Sequence, residues 1–226
     1  LTYFGEVAAS QARGAAARAA LVEQAERLFA EHGIAGVSLR DVSAAAGQRN
    51  HSAAQYHFGD RHGLVSAVYE ARMALVDERR QARLDAMDAA GRERDLVALA
   101  EAVLVPLLEV VAESEGWYAR FLARTRWDPE AWATVSELAT AGSLRSALRH
   151  LLPHLEHLPP ALRRGRLDQV LTLVIGTAAG WEGAPDRGEP RLPLADLAAD
   201  LVATTVALLS APAPSAPLDI LQGASA

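Results

Sequence analysis

The sequence predicts an all-α fold, an N-terminal three-helix head followed by a larger C-terminal helical bundle. Three observations carry that prediction. Apolar residues recur at three- and four-residue intervals over long stretches. Glycines and prolines fall between those stretches, where helices stop. Ser38 and Asp60 stand where N-caps belong, each just ahead of a new apolar run.

Taken in order, residues 1–12 read as a flexible arm. From about residue 14 to 32, Leu21, Val22, Ala25, Leu28 and Phe29 form one helical stripe, and Gly33 stops it. Ser38 with Asp41 three residues on resembles a capping box, opening a short helix that ends at Gly47. Asn50, His51 or Ser52 can cap a third helix running to about His57. Gly59-Asp60 interrupts again, and Asp60 caps a long helix with Leu64, Val68 and Leu75 on one side. Beyond it, breaks fall at Gly91, Gly116, Asp128-Pro129, Gly142, Pro153, Pro159-Pro160, the loop 183–193 and Ser210. Leu167, Val170, Leu171, Val174, Ile175 and Ala178 form one wide apolar face, and Leu194, Leu197, Leu201 and Leu208 form another. Residues 211–226, with alternating Ala and Pro, read as a disordered tail. The implied division is an arm 1–12, a head 13–59, a body 60–210 and a tail 211–226.

Composition narrows the class. A chain of 226 residues can bury a sizeable core. No uncharged apolar run reaches bilayer length, and the N-terminus lacks a basic stretch leading into an apolar segment. No cysteine is present, which excludes disulfides and thiolate metal sites and fits a cytoplasmic setting. Net charge is −6, but residues 1–62 balance six arginines against six acids, so the whole deficit lies in the body. Contact with phosphate is decided by local patches, so this balance permits nucleic-acid binding without arguing for it.

The head has the ingredients of a helix-turn-helix. Gly47 supplies the turn, and Val42 and Ala46 are small enough to let two helices cross closely. Arg49, Asn50, His51, Ser52 and Gln55 then lie near the start of the third helix, and these residue types pair with base edges. Phe29, Leu39, Val42 and Phe58 are the predicted head core.

Three segments together resemble the TetR (tetracycline-repressor-like) family of bacterial regulators. They are Arg18–Gly33, Val37–Gly47 and the run Tyr56-His-Phe-Gly-Asp-Arg-His-Gly-Leu64, within a resemblance covering about residues 13–76. The resemblance implies an N-terminal DNA-binding head, a variable ligand-binding body, a homodimer and derepression by a small molecule. The DNA candidates are Ser38, Arg40, Arg49, Asn50, His51, Ser52, Gln55, Tyr56, His57 and Arg61, with a pseudo-palindromic double-stranded operator as partner. The chain departs from the common pattern in two ways. The stretch from Gly47 to Phe58 is one residue longer, leaving the base-contacting positions open by about one residue, and Gln55 stands where a tyrosine is frequent. Arg61 replaces a common lysine, and either could contact phosphate.

In the body, Trp117, Tyr118, Phe121, Arg124, Trp127 and Trp132 cluster in a chain otherwise poor in aromatics, and with Glu109 they are the candidate lining of an effector pocket. Helical packing is the stronger reading for Trp117, Phe121 and Arg124. The faces in 167–180 and 194–209 suit a dimer interface, and Gly176, Ala178, Ala179 and Gly180 permit close approach. Burial inside the monomer fits the first segment as well. An enzyme reading has one handhold, His150, His154 and His157 at helical spacing, and Pro153 interrupts it. The chain has neither a nucleophile elbow nor a phosphate loop. The reading is therefore a non-enzymatic regulator needing no metal or cofactor, with a helical adaptor or small-molecule-binding protein as the alternative.

Overall fold

A computed structural model describes residues 2–114, 116–139 and 142–215, with side chains from residue 11 onward except that of Ala139. Its described elements are α1 (Thr2–His32), α2 (Leu39–Ala45), α3 (Ala53–Phe58), α4 (Arg61–Ala89), α5 (Leu96–Glu113), α6 (Tyr118–Arg126), α7 (Pro129–Ala139), α8 (Ser143–Leu151), α9 (Pro160–Glu182) and α10 (Leu194–Ser210). Short 3-10 turns follow α8 and α9, and the described residues contain no strand.

One expectation about the ends changes. Residues 2–12 continue α1 as helix instead of forming a separate arm. The stretch from 2 to 20 has alanine at many positions, and alanine costs a helix least. The tail expected over 211–226 lies outside the described residues from 216 on. Residues 211–214 are irregular, and Arg166 donates hydrogen bonds to the carbonyls of Ala211 and Pro212.

The head packs as its stripes predict. Leu21, Ala25 and Phe29 of α1, Val42 of α2, Ala54 of α3 and Leu64 and Val68 of α4 are all buried in one cluster. Leu39 and Phe58 are half-buried at its edge. Leu75, expected on the same side of α4 as Leu64, is 41% exposed. Early in α4 the buried positions are Leu64, Val65, Val68 and Tyr69, whereas later they are Val76, Arg80, Leu84 and Met87. At 3.6 residues per turn the buried stripe swings by roughly 100° along the helix, from the head to the body. Leu75 keeps the head-facing side after the head has ended.

Head and body share this core, which runs on through Tyr118, Phe121, Val174 and Val202. Two buried polar clusters cross it. Glu26 of α1, 2% exposed, accepts from Arg72 of α4 at both oxygens, at 2.8 and 3.1 Å. Arg80 of α4 donates to the Val103 carbonyl in α5, to Asp77, and to the Ser143 hydroxyl that opens α8. Gly142 leaves room for that contact, since a Cβ there would lie 2.2 Å from an Asp77 oxygen.

A third device starts α6, whose N-cap position is Trp117, a residue that cannot cap. Glu182, at the far end of α9 and buried, accepts from the Ala119 and Arg120 amides at 3.1 and 2.9 Å. It supplies in trans the cap that α6 lacks. Its acidity is nevertheless weakened, because burial raises its pKa more than the hydrogen bonds and Arg120 lower it.

Two predictions follow from these clusters. Glu26→Ala strands the Arg72 guanidinium, whose side chain is 27% exposed, and should cost about 3 kcal/mol in urea unfolding, at the low end for a broken buried pair because some water still reaches Arg72. Glu182 has a raised folded pKa, so its stabilising contribution is complete below its ordinary 4.5 and is lost as pH rises through the folded value. The stability difference between the parent and Glu182→Gln should therefore move against the parent from pH 4 to pH 8. A difference that moves in the parent's favour would mean that the fold prefers the carboxylate.

Candidate nucleic-acid interface

The candidate reading surface begins with Ser38. The Asp41 amide donates to Ser38 Oγ at 3.2 Å, the Ser38 amide donates back to Asp41 Oδ2 at 3.0 Å, and the capping box is complete. The Ser38 hydroxyl and amide hold the Asp41 carboxyl below its usual pKa. Ser38 thus carries a structural role at an exposed helix start, with Arg40 exposed beside it.

Residues 46–52 separate α2 from α3, a turn longer than the three or four residues of the usual motif. Gly47 takes φ +65°, and an L side chain there would be strained even though nothing crowds it. Asn50 Oδ1 accepts from the Ser52 amide at 3.0 Å, an Asx turn that delivers the chain into α3. Ser52 occupies the N-cap position without a side-chain cap bond.

The residue that fixes α3 is one the sequence did not single out. Ser43, fully buried in α2, donates to the Leu39 carbonyl and accepts from the Ala54 amide, both at 3.0 Å. It satisfies one of the orphan N–H groups at the start of α3. A serine one turn after Leu39 on the α2 face that carries Val42 was the available clue.

Of the candidates, Arg40, Arg49, Asn50, His51, Ser52, Gln55 and Tyr56 are exposed on one stretch of chain, while Ala53 and Ala54 face inward. Tyr56 is 84% exposed, with its ring held edge-on to His57 at 5.2 Å. His57 is half-buried and also contacts Phe58. Arg40, Arg49, His51, Gln55 and Tyr56 make no side-chain hydrogen bond among the described residues. Arg61 is exposed, yet one Nη donates to the Val37 carbonyl at 3.2 Å, tying α4 to the loop before α2. Arg18 of α1 lies over the Phe58 ring at 5.2 Å.

The seven candidate effector residues are not gathered around one cavity. Tyr118 and Phe121 are buried core, stacked with each other at 6.3 Å, and Phe121 also meets Phe29 of the head. The Tyr118 hydroxyl has no partner among the described residues, and burial drives its pKa well up. Trp117 lies under the Arg120 guanidinium at 4.2 Å. Glu109 pairs with Arg83 and Arg79 on the outside of α4 and α5. Trp132 packs against the core under Arg126. Only Arg124 and Trp127 line a cleft, of about 510 Å³, between the end of α1 and α6. The reason is rotational. Successive residues of α6 point around the helix, so neighbours in sequence face the core, α9 and solvent in turn.

The histidine triplet is divided. α8 ends at Leu151, His150 pairs with Asp88 at 3.5 Å, and His157 Nδ1 lies 3.1 Å from the His154 carbonyl. Among the described residues, no group of three His, Cys, Asp or Glu side chains could hold a metal ion. No described helix is long and apolar enough to cross a membrane.

Removing the Ser43 hydroxyl leaves the Ala54 amide unanswered in the core. Ser43→Ala should cost about 1–3 kcal/mol and loosen α3, read as faster amide exchange at residues 53–58 than in the rest of the head.

Residues 21–68 match the family described as bacterial regulatory proteins, tetR family. The chain matches none of the curated proteins.

Proposed function

Through its head this chain belongs to the tetR family of bacterial regulatory proteins, whose members bind DNA, and from that premise we propose that it is a cytoplasmic, homodimeric repressor released from its operator by a small, largely apolar effector. The division of labour is a DNA-binding head over residues 13–59 and a ligand-binding and dimerising body over 60–210. The observation that carries the reading is the set of outward side chains Arg49, His51, Gln55 and Tyr56, backed by Ser43 and making no side-chain hydrogen bond among the described residues.

Two heads would each set residues 50–57 in the major groove of one half-site. Their third helices would then lie about 34–36 Å apart, or a multiple of one helical turn. Gln55 and Asn50 suit adenine, and Arg49 suits guanine. Ser38, Arg40, Tyr56, His57 and Arg61 lie where phosphates would pass, and their contacts would set register without reading sequence. For the dimer, α9 leaves Leu171, Leu173 and Gly180 half-covered, and α10 leaves Ala195, Ala199, Ala203 and Ala207 exposed. These faces support an interface through 167–180 and 194–209. Effector binding would tilt α4 from Asp60 and change the spacing of the heads. The mechanism needs no catalysis, metal or cofactor.

The test is selection of bound fragments from random DNA at a stated salt concentration, with a two-fold symmetric motif as the expected product. On that motif, Gln55→Ala should lose about 1–3 kcal/mol and relax preference at one or two base positions. Arg61→Ala should lose affinity evenly across sequences and flatten the salt slope by about one. Parental binding by both variants would remove α3 from the groove.

A further inference from the structure

The cleft between the end of α1 and α6 is a concave site at the junction of head and body. Its volume, about 510 Å³, falls within the range of small-molecule pockets. Its floor is small and apolar, with Ala30, Ile34 and Ala123 among its lining residues.

Two side chains give it chemical character. Arg124 Nε donates to the Ala30 carbonyl at 3.2 Å, which anchors the guanidinium against the last turn of α1. Among the described residues its two Nη groups have no hydrogen-bond or carboxylate partner. Arg72, Arg79, Arg83, Arg120 and Arg126, which also bridge elements, each meet an acid. Trp127, one turn on, is 75% exposed. Arg126 sits 5.3 Å from its ring centroid and is itself held by Asp168. Arg124, itself exposed, thus offers open Nη groups beside an uncovered indole on one cleft.

We propose that this cleft binds a small aromatic monocarboxylate, its ring against Trp127 and its carboxylate on the Nη pair of Arg124. The planar fork of an arginine matches a carboxylate at two points. Asp128 also lines the cleft, and its carboxylate accepts from the Ala131 amide at 3.0 Å. That negative charge disfavours a dianion, so a phosphate monoester fits worse than a carboxylate. Arg120, the other guanidinium on the wall, is already engaged by Asp186 and the Gly116 carbonyl.

The position also explains how occupancy would reach the head. Arg124 holds Ala30, and Gly33, at φ +79°, turns the chain from α1 toward Val37 and α2. A ligand drawn onto Arg124 competes with or reinforces that grip, changing how firmly the end of α1 is tied to α6. This deepens the effector reading above by naming the effector's class and site, and its test requires no DNA, so failure here and failure of operator binding are distinguishable.

The probe is 1-naphthoate, titrated into the full chain beside 1-naphthamide and 1-naphthyl phosphate, by calorimetry and by the indole N–H resonances. The Trp127 resonance is assigned by its absence in Trp127→Phe. The expected result is 1-naphthoate binding at least tenfold tighter than either analogue, with the Trp127 signal moving most. Arg124→Gln should abolish the preference for naphthoate over naphthamide while leaving the naphthamide affinity near the parent's. Equal affinity for acid and amide, an unmoved Trp127 signal, absence of naphthoate binding, or a preference that survives Arg124→Gln would each overturn the proposal.

Discussion

A carboxylate that is 2% exposed must be answered by a cation, and the answer to Glu26 comes from Arg72 on another helix. That pair sets the angle between α1 and α4, because two parallel hydrogen bonds allow little rotation. Buried pairs of this kind add little net stability over a well-packed apolar contact, yet breaking one is expensive. The constraint is therefore one of orientation. α1 contributes Leu21, Ala25 and Phe29 to the head and packs on α6 of the body, so its direction fixes where the head sits. Tyr118, buried on α6 and electrostatically coupled to both Glu26 and Arg72, closes the same junction from the body side.

The proposed recognition element is too short to hold itself. α3 has six residues, far below the length at which a helix survives alone in water. Its stability is borrowed from Ser43 at its start, from buried Ala53 and Ala54 along its inner face, and from Phe58, capped by Arg18, at its end. Small inner residues bring α3 close to α2 and leave the large polar ones outside. The longer turn before it places Arg49, Asn50 and His51 on backbone ordered by the Asx turn, so the outward row is part turn and part helix.

What could be read from the sequence was local. The capping box at Ser38 and Asp41, the Asp60 cap, the glycine stops and the stripes of α9 and α10 all depend on residues within a few positions of one another, and each appears where periodicity put it. The partners that assemble those helices were not legible. Glu182 caps α6 from more than sixty positions away, and Arg72 answers Glu26 across forty-six. The proposed effector residues show the same divide. Trp117 to Trp132 are neighbours in sequence, but helical rotation sends Tyr118 and Phe121 to the core and Trp127 to solvent, while Glu109 joins arginines on the surface. Leu75 misled for a related reason, since a stripe extrapolated along α4 ignores the change of partner from head to body.

Two clamps on α1 set the scale of any switch. Arg72 grips it from α4 and Arg124 grips it from α6, near the turn that leads to α2. Movement of α6 against α4 must then be absorbed by α1 or passed to the head, because packed interiors resist continuous deformation. Twelve residues of helix separate Asp60 from Arg72, an arm of about 18 Å. A tilt of about 5° at the clamp displaces the start of α4, and α3 with it, by roughly 1.6 Å, and in the proposed homodimer two-fold symmetry would double the change in separation to about 3 Å. Against base contacts that tolerate a few tenths of an ångström, a change of that size suffices to break one half-site's register while leaving each head intact. An effector of the proposed kind would have no need to unfold or cover the reading surface, only to bind the two clamp geometries with different affinity.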